Sequence, residues 1–172
     1  QKDKKFIKDL YYRFNTEADL SLLLINIGNA VRKYGSLQEL FLQEFTDSDE
    51  NILKGLTCFS AKLNETTTQN SNYKYLIPLA ENGSTCKRLN LYLRWMVRKD
   101  EIDLGIWSKV NASKLIMPVD THVYRISRKL KLAKRRSCDM KYALELTERL
   151  KQFDPSDPVK YDFALCHMGI DQ

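Results

Sequence analysis

Gly83-Ser84-Thr85-Cys86-Lys87-Arg88-Leu89-Asn90-Leu91-Tyr92-Leu93-Arg94-Trp95-Met96-Val97 is a glycine-led turn that runs straight into an apolar segment with no helix breaker. The segment is apolar nearly all round, so a long helix is expected from Lys87 to about Lys99, with Trp95 in the core. A second stretch repeats the layout. Pro118-Val119-Asp120-Thr121-His122-Val123-Tyr124-Arg125 is a proline turn with Asp120 placed as the N-cap of a helix to about Leu132. A lysine at one helix mouth and an aspartate at another suits amine-nucleophile chemistry beside a bound phosphate chain.

Outward from these two segments the pattern stays helical. Phe6, Ile7, Leu10, Tyr11 and Phe14 share one helical face. Residues 17–33 form a second helix closed by Gly35, and Ser36-Leu37-Gln38-Glu39 is a capping box for a helix through Phe45. Asp47-Ser48-Asp49-Glu50 opens another, to about Leu63. The polar run 64–72 is a loop, either an insertion or a boundary between two lobes, with insertion preferred. Asn111 caps a short helix, Ala112 to Met117, stopped by Pro118. Asp139 starts a helix to Phe153, and Asp157-Pro158 opens the last, to Gly169. There is no internal repeat and no strand pair, so the expected class is all-α, a single domain over 1–172. Gln1 rather than Met opens the chain, and truncation at one or both ends is an expectation.

The 172 residues suffice for one domain with a core, and 43% hydrophobic content excludes wholesale disorder. The formal net charge of +6 favours a polyanionic partner. Cys58, Cys86, Cys138 and Cys166 are widely spaced, which gives neither a zinc motif nor a disulfide framework. No apolar run is long enough to span a membrane. The expectation is a monomer in the cytoplasm, without metal, cofactor or membrane partner.

The segment Pro118–Arg125 resembles the stretch that carries the catalytic aspartate in helix-hairpin-helix (HhH-GPD) DNA glycosylases of the endonuclease III type, and Gly83–Lys87 resembles their Gly-x-Gly-x-Lys turn, whose lysine is the nucleophile. Cys86–Arg98 together with Asp157–Leu165 looks like a poorly characterised bacterial family, named only as a domain of unknown function, within or near that superfamily. The resemblance implies a two-lobed helical fold with a cleft between lobes, double-stranded DNA containing a damaged base as partner, and a nucleoid-associated protein. It implies base excision by Lys87, with AP-lyase strand cleavage through a Schiff base, and Asp120 as the electrostatic and proton-transfer partner. The alternative is a non-catalytic DNA-binding helical module.

Three departures bear on this. Ile77-Pro78-Leu79-Ala80-Glu81-Asn82-Gly83 replaces the Leu-Pro-Gly-x-Gly hairpin. Lys87 and Asp120 stand 33 positions apart, so the insert 100–117 must fold as a side excursion if the two are to meet. That long gap is closer to archaeal 8-oxoguanine glycosylases, which favours an oxidised purine as substrate. Iron–sulfur members place their first cluster cysteine just after a helix like 158–169, where the sequence shown ends, so residues 1–172 do not themselves carry that cluster.

DNA contacts are expected from Gly83, Ser84, Thr85 and Arg88 around the first mouth, from Ser113 and Lys114 at the short helix, and from His122, Arg125 and Arg128 at and beyond the second. Such phosphate contacts position DNA without reading its sequence. Trp107, after Gly105, is the candidate for stacking on an extruded base. Each has a blander reading: Asp120 as a plain N-cap worth about 1 kcal/mol, the basic run 125–136 as a solvated face, and His167 as a structural residue of the last helix.

Overall fold

Turn chemistry decides where each helix starts and stops. The computed structural model describes residues 10–65 and 72–170, and the all-α expectation holds over them. The helices are α1 (Glu17–Tyr34), α2 (Leu37–Phe41), α3 (Leu53–Leu63), α4 (Lys87–Val97), α5 (Thr121–Lys129), α6 (Met140–Lys151) and α7 (Asp162–Ile170). Among the described residues the only β pairings are the isolated bridges Tyr12–Asn15 and Lys99–Leu104.

Helix α1 begins with a reciprocal box: the Thr16 N–H donates to Asp19 Oδ2 at 2.9 Å, and the Asp19 N–H reaches back to Thr16 Oγ1. It ends at Gly35, whose N–H returns to the Val31 carbonyl. Ser36 then caps α2 through the Glu39 N–H at 3.0 Å. Glu39 does not reciprocate, because its carboxylate takes Lys109 at 2.6 Å, and α2 stops at Phe41 rather than Phe45. The acidic run 47–50 folds as a turn in which Asp49 Oδ2 accepts the Thr46 N–H at 2.7 Å. Helix α3 therefore starts later than its acidic signal, at Leu53, whose N–H is accepted by Asn51 Oδ1.

The first expected helix is corrected over its described part. Residues 12–15 form a tight turn in which Tyr12 and Asn15 exchange backbone bonds of 3.1 and 2.9 Å; the rest of that expectation, residues 6–9, lies outside the described residues, as does most of the polar run 64–72. The flanks of that run are tied by side chains. Asn64 Nδ2 donates to the Ile77 carbonyl at 3.1 Å, and the buried Tyr73 hydroxyl donates to the Leu63 carbonyl at 2.7 Å.

Trp107 is corrected from a base-stacking candidate to a core residue. It is 5% exposed and sits among Phe41, Phe59 and Tyr92, with ring centroids 5.7, 6.4 and 5.7 Å away. Each such pair adds about 0.5–1.5 kcal/mol beyond area burial. The cluster packs directly on the α3 backbone at Gly55, where an added Cβ would lie 2.7 Å from Phe41 Cζ and Phe45 Cβ. Trp95 has the opposite fate: it is 41% exposed on α4, not in the core. His167, expected to be structural, is exposed on α7 with its ring 4.3 Å from that of Phe163.

The segment 98–119 is the side excursion the sequence requires. It first folds back over the end of α4: the Leu104 and Gly105 N–H groups donate to the Trp95 carbonyl at 2.8 and 3.2 Å, and the Trp107 N–H to the Met96 carbonyl at 2.7 Å. Asn111 caps only a three-residue 3-10 turn, Ala112–Lys114. Leu115 to Val119 then run extended and buried through the core, with the Met117 N–H accepted by Thr147 Oγ1 of α6 at 2.9 Å. This buried strand-like run delivers Asp120 to the mouth of α5.

Candidate active site

Helices α4 and α5 open side by side. Gly83 adopts the left-handed conformation (φ 75°) at the end of a 3-10 turn over 80–82, and Cys86 does so again (φ 49°) immediately before Lys87. Ser84 Oγ accepts the Cys86 N–H at 3.1 Å, which holds the turn. Thr85 Oγ1 donates to the Val119 carbonyl at 2.8 Å, which staples one helix mouth to the other. Asn90 Nδ2 closes the first turn of α4 by donating to the Thr85 carbonyl at 2.9 Å. Each bond is worth about 0.5–1.5 kcal/mol net.

Those staples bring the two predicted residues together: Lys87 Nζ lies 3.2 Å from Asp120 Oδ2. The side chains are 38% and 23% exposed, so the pair is reachable from solvent yet fixed by the fold. The two oxygens of Asp120 divide the work. Oδ1 accepts the His122 and Val123 N–H groups, both at 2.9 Å, as the α5 N-cap, which leaves Oδ2 for the amine. Burial works against the Asp120 charge, but the Val123 N–H and the Lys87 amine outweigh it, so the carboxyl titrates below its ordinary range.

Helix α7 supplies a wall that sequence reasoning missed. Asp162 is buried and takes a charge-assisted bond from Arg94 Nη1. Burial pushes its carboxyl up despite Arg94, and Lys87 and Asp120 both act on it electrostatically. Cys166, one turn further along α7, is raised chiefly by burial and then by the Asp120 and Asp162 charges. Arg94 grips Asp103 with Nε at 3.1 Å and Nη2 at 3.2 Å, and Arg98 holds Asp157 and Asp100. Asp157 therefore does not cap the last helix. The signal was present in the spacing: Lys87, Asn90, Arg94 and Arg98 recur at helical intervals along one edge of α4. Arg94 is thus a buried ion-pair partner and Arg98 a half-buried one.

The other predicted contacts divide. Gly83 lines an open cavity of about 360 Å³ with Leu53, Thr57, Asp139 and Met140. Arg88 donates to the Tyr75 carbonyl and lies over the Tyr12 ring. His122 is half-buried in the first turn of α5, and Arg125 is exposed on the same helix. Arg128 leans on Tyr124, donating to its hydroxyl at 3.2 Å. Lys114 is corrected: its ammonium donates to the Asp49 carbonyl at 2.7 Å and ties down the 46–52 turn. Ser113 donates its N–H to Asn111 within the same three-residue turn. Neither is brought to the Lys87–Asp120 pair by any bond of the fold.

Among the described residues no group of three or more His, Cys, Asp or Glu side chains is arranged to hold a metal ion, and no helix is long and apolar enough to cross a membrane. No curated protein and no solved structure matches the chain. A family model does match, over residues 1–171, and the chain belongs to that family, described as "Protein of unknown function (DUF2400)".

Proposed function

We propose that the protein is a DNA base-excision glycosylase with AP-lyase activity. The observation that carries the reading is the 3.2 Å approach of Lys87 Nζ to Asp120 Oδ2 at two adjoining helix mouths. An ion-paired amine must lose a proton before it attacks, and Asp120 is the acceptor within reach. The neutral amine would then form a bond to C1′ of an extruded nucleotide. The glycosidic bond breaks with its electron pair leaving on the base, which takes up the proton that Asp120 received from Lys87, so that Asp120 is ionised again. Opening of the sugar gives a protonated Schiff base on Lys87, and loss of a C2′ proton expels the 3′ phosphate by β-elimination. With that proton passed on, Asp120 is back in the ionised form that its Val123 and His122 N–H bonds favour, and its negative charge stabilises the positive charge on the sugar-derived iminium. An oxidised purine such as 8-oxoguanine is the substrate favoured by the long Lys87–Asp120 spacing.

Borohydride trapping on duplex oligonucleotides with abasic or oxidised sites tests this. The reductant converts the Schiff base to a stable secondary amine. A covalent adduct that disappears in Lys87→Ala is the expected result; no adduct on any lesion sinks the lyase chemistry. The non-catalytic DNA-binding reading is favoured by one observation, the replacement of the expected hairpin by an extended 78–79 segment and a 3-10 turn. Under that reading Lys87→Gln would leave both affinity and every lesion unchanged.

A further inference from the structure

A pocket beside α4 lies outside the chemistry proposed for Lys87. The turn 12–15 is clasped to the 3-10 turn 72–75 by a reciprocal asparagine pair. Asn15, 1% exposed, donates from Nδ2 to the Asn72 carbonyl at 2.9 Å, and Asn72 Nδ2 donates back to the Phe14 carbonyl at 2.8 Å. Arg13 at the tip takes a left-handed conformation (φ 56°). Polar bonds therefore hold this frame, and its rings face outward: Phe14 is 75% exposed and Tyr75 52%.

Between them opens a pocket of about 450 Å³ lined by Arg13, Phe14, Asn72, Tyr75 and Arg88. The Phe14 and Tyr75 rings are 6.4 Å apart and tilted by 57°, so they do not cover one another's faces. Guanidinium groups sit at the rim. Arg13 and Arg88 lie 5.8 and 5.6 Å from the Tyr12 ring centroid, and among the described residues neither has a carboxylate partner. An apolar peptide would use the rings but desolvate two arginines without compensation. An acidic peptide would use the arginines and leave the rings idle. A nucleotide uses both, with its base on an aromatic face and its phosphate on a guanidinium. Arg88 directly follows Lys87 in the first turn of α4, so the pocket and the Lys87–Asp120 pair draw on the same helix end.

We propose that this pocket binds one unpaired nucleotide of a DNA strand, with the base against Phe14 and Tyr75 and the phosphate on Arg13 and Arg88. The binding holds whether or not Lys87 is a nucleophile. Fluorescence anisotropy with a labelled short single-stranded oligodeoxynucleotide, and with an abasic strand of equal length, tests it. Phe14→Ala and Tyr75→Ala are expected to weaken the base-bearing strand by about five- to a hundredfold each and to leave the abasic strand unchanged. Arg13→Gln and Arg88→Gln are expected to weaken both strands and to lower the salt slope by about one each. The exposure of Phe14 makes its truncation harmless to the fold, which a thermal melt of the variant confirms. Unchanged affinity in both aromatic variants overturns the proposal, and so does an equal loss on the two strands. Lys87→Gln keeps the strand affinity while losing the trapped adduct, so failure of the excision reading and failure of this one give different patterns.

Discussion

Lys87 Nζ and Asp120 Oδ2 lie 3.2 Å apart although 33 positions separate them in the chain. The buried run Leu115–Val119 and the Thr85–Val119 bond make the meeting a property of the core rather than of two mobile surface chains. A half-exposed ion pair contributes about 0–1 kcal/mol to stability. Its placement by so much buried structure fits a chemical role better than a stabilising one.

Substituting Lys87→Gln is therefore expected to abolish the borohydride-trapped adduct while changing unfolding free energy by under about 1 kcal/mol. Trapping and urea denaturation of the same variant check both halves. A large loss of stability would mean the lysine is structural.

The two oxygens of Asp120 predict a separation of roles. Asp120→Asn retains a good cap, so helix α5 should lose little, while Asp120→Ala should cost about 1 kcal/mol. Both should lose the adduct, because both remove the charge facing Lys87. Equal trapping by Asp120→Asn and wild type would remove Asp120 from the chemistry and leave it as a cap.

Arg94 pairs with two buried carboxylates, Asp103 and Asp162. Arg94→Met would strand Asp162 and leave Asp103 to Arg98 alone, and a loss of about 3–5 kcal/mol in urea unfolding is expected. A change below about 1 kcal/mol would show that the network relaxes or is hydrated.

Trp107→Ala should cost about 3–5 kcal/mol through the cavity left among Phe41, Phe59 and Tyr92. Trp107→Phe should be milder and should leave DNA affinity intact. If Trp107→Phe folds normally but loses DNA affinity, the ring contacts base after all.

Acid should unfold the protein along a definite limb. The Arg135 guanidinium and the Tyr142 N–H hold Asp139 down from 3.8 to about 2, and Asp120 is lowered as well. With folded values below unfolded ones, this stability is present above about pH 4 and is lost as pH falls through about 2. Asp162 has the opposite sign: burial raises it, so its contribution is full at low pH and is lost as pH rises through its folded value. Melting temperature should drop between about pH 5 and about pH 2.5, less steeply in Asp139→Asn. Parallel curves for variant and wild type would exclude Asp139 as a source.

The sequence by itself determined the all-α class and the starts of several helices. Ser36, Asp120 and Asp139 act within a few residues of themselves, so their effect is readable locally. Lys87 and Asp120 were legible for the same reason, since each marks a helix mouth. Tertiary structure decided which charges face outward and which rings are core. Arg94 and Lys87 look alike as helix-borne cations, but Asp103 and Asp162 come from other segments and bury the former. Trp95 and Trp107 exchanged their expected places because the return of the 98–107 segment over the end of α4 depends on long-range packing. The convergence at 3.2 Å belongs to this second class: nothing local in 83–97 or 118–125 fixes the distance between them, and the buried path through Met117 does.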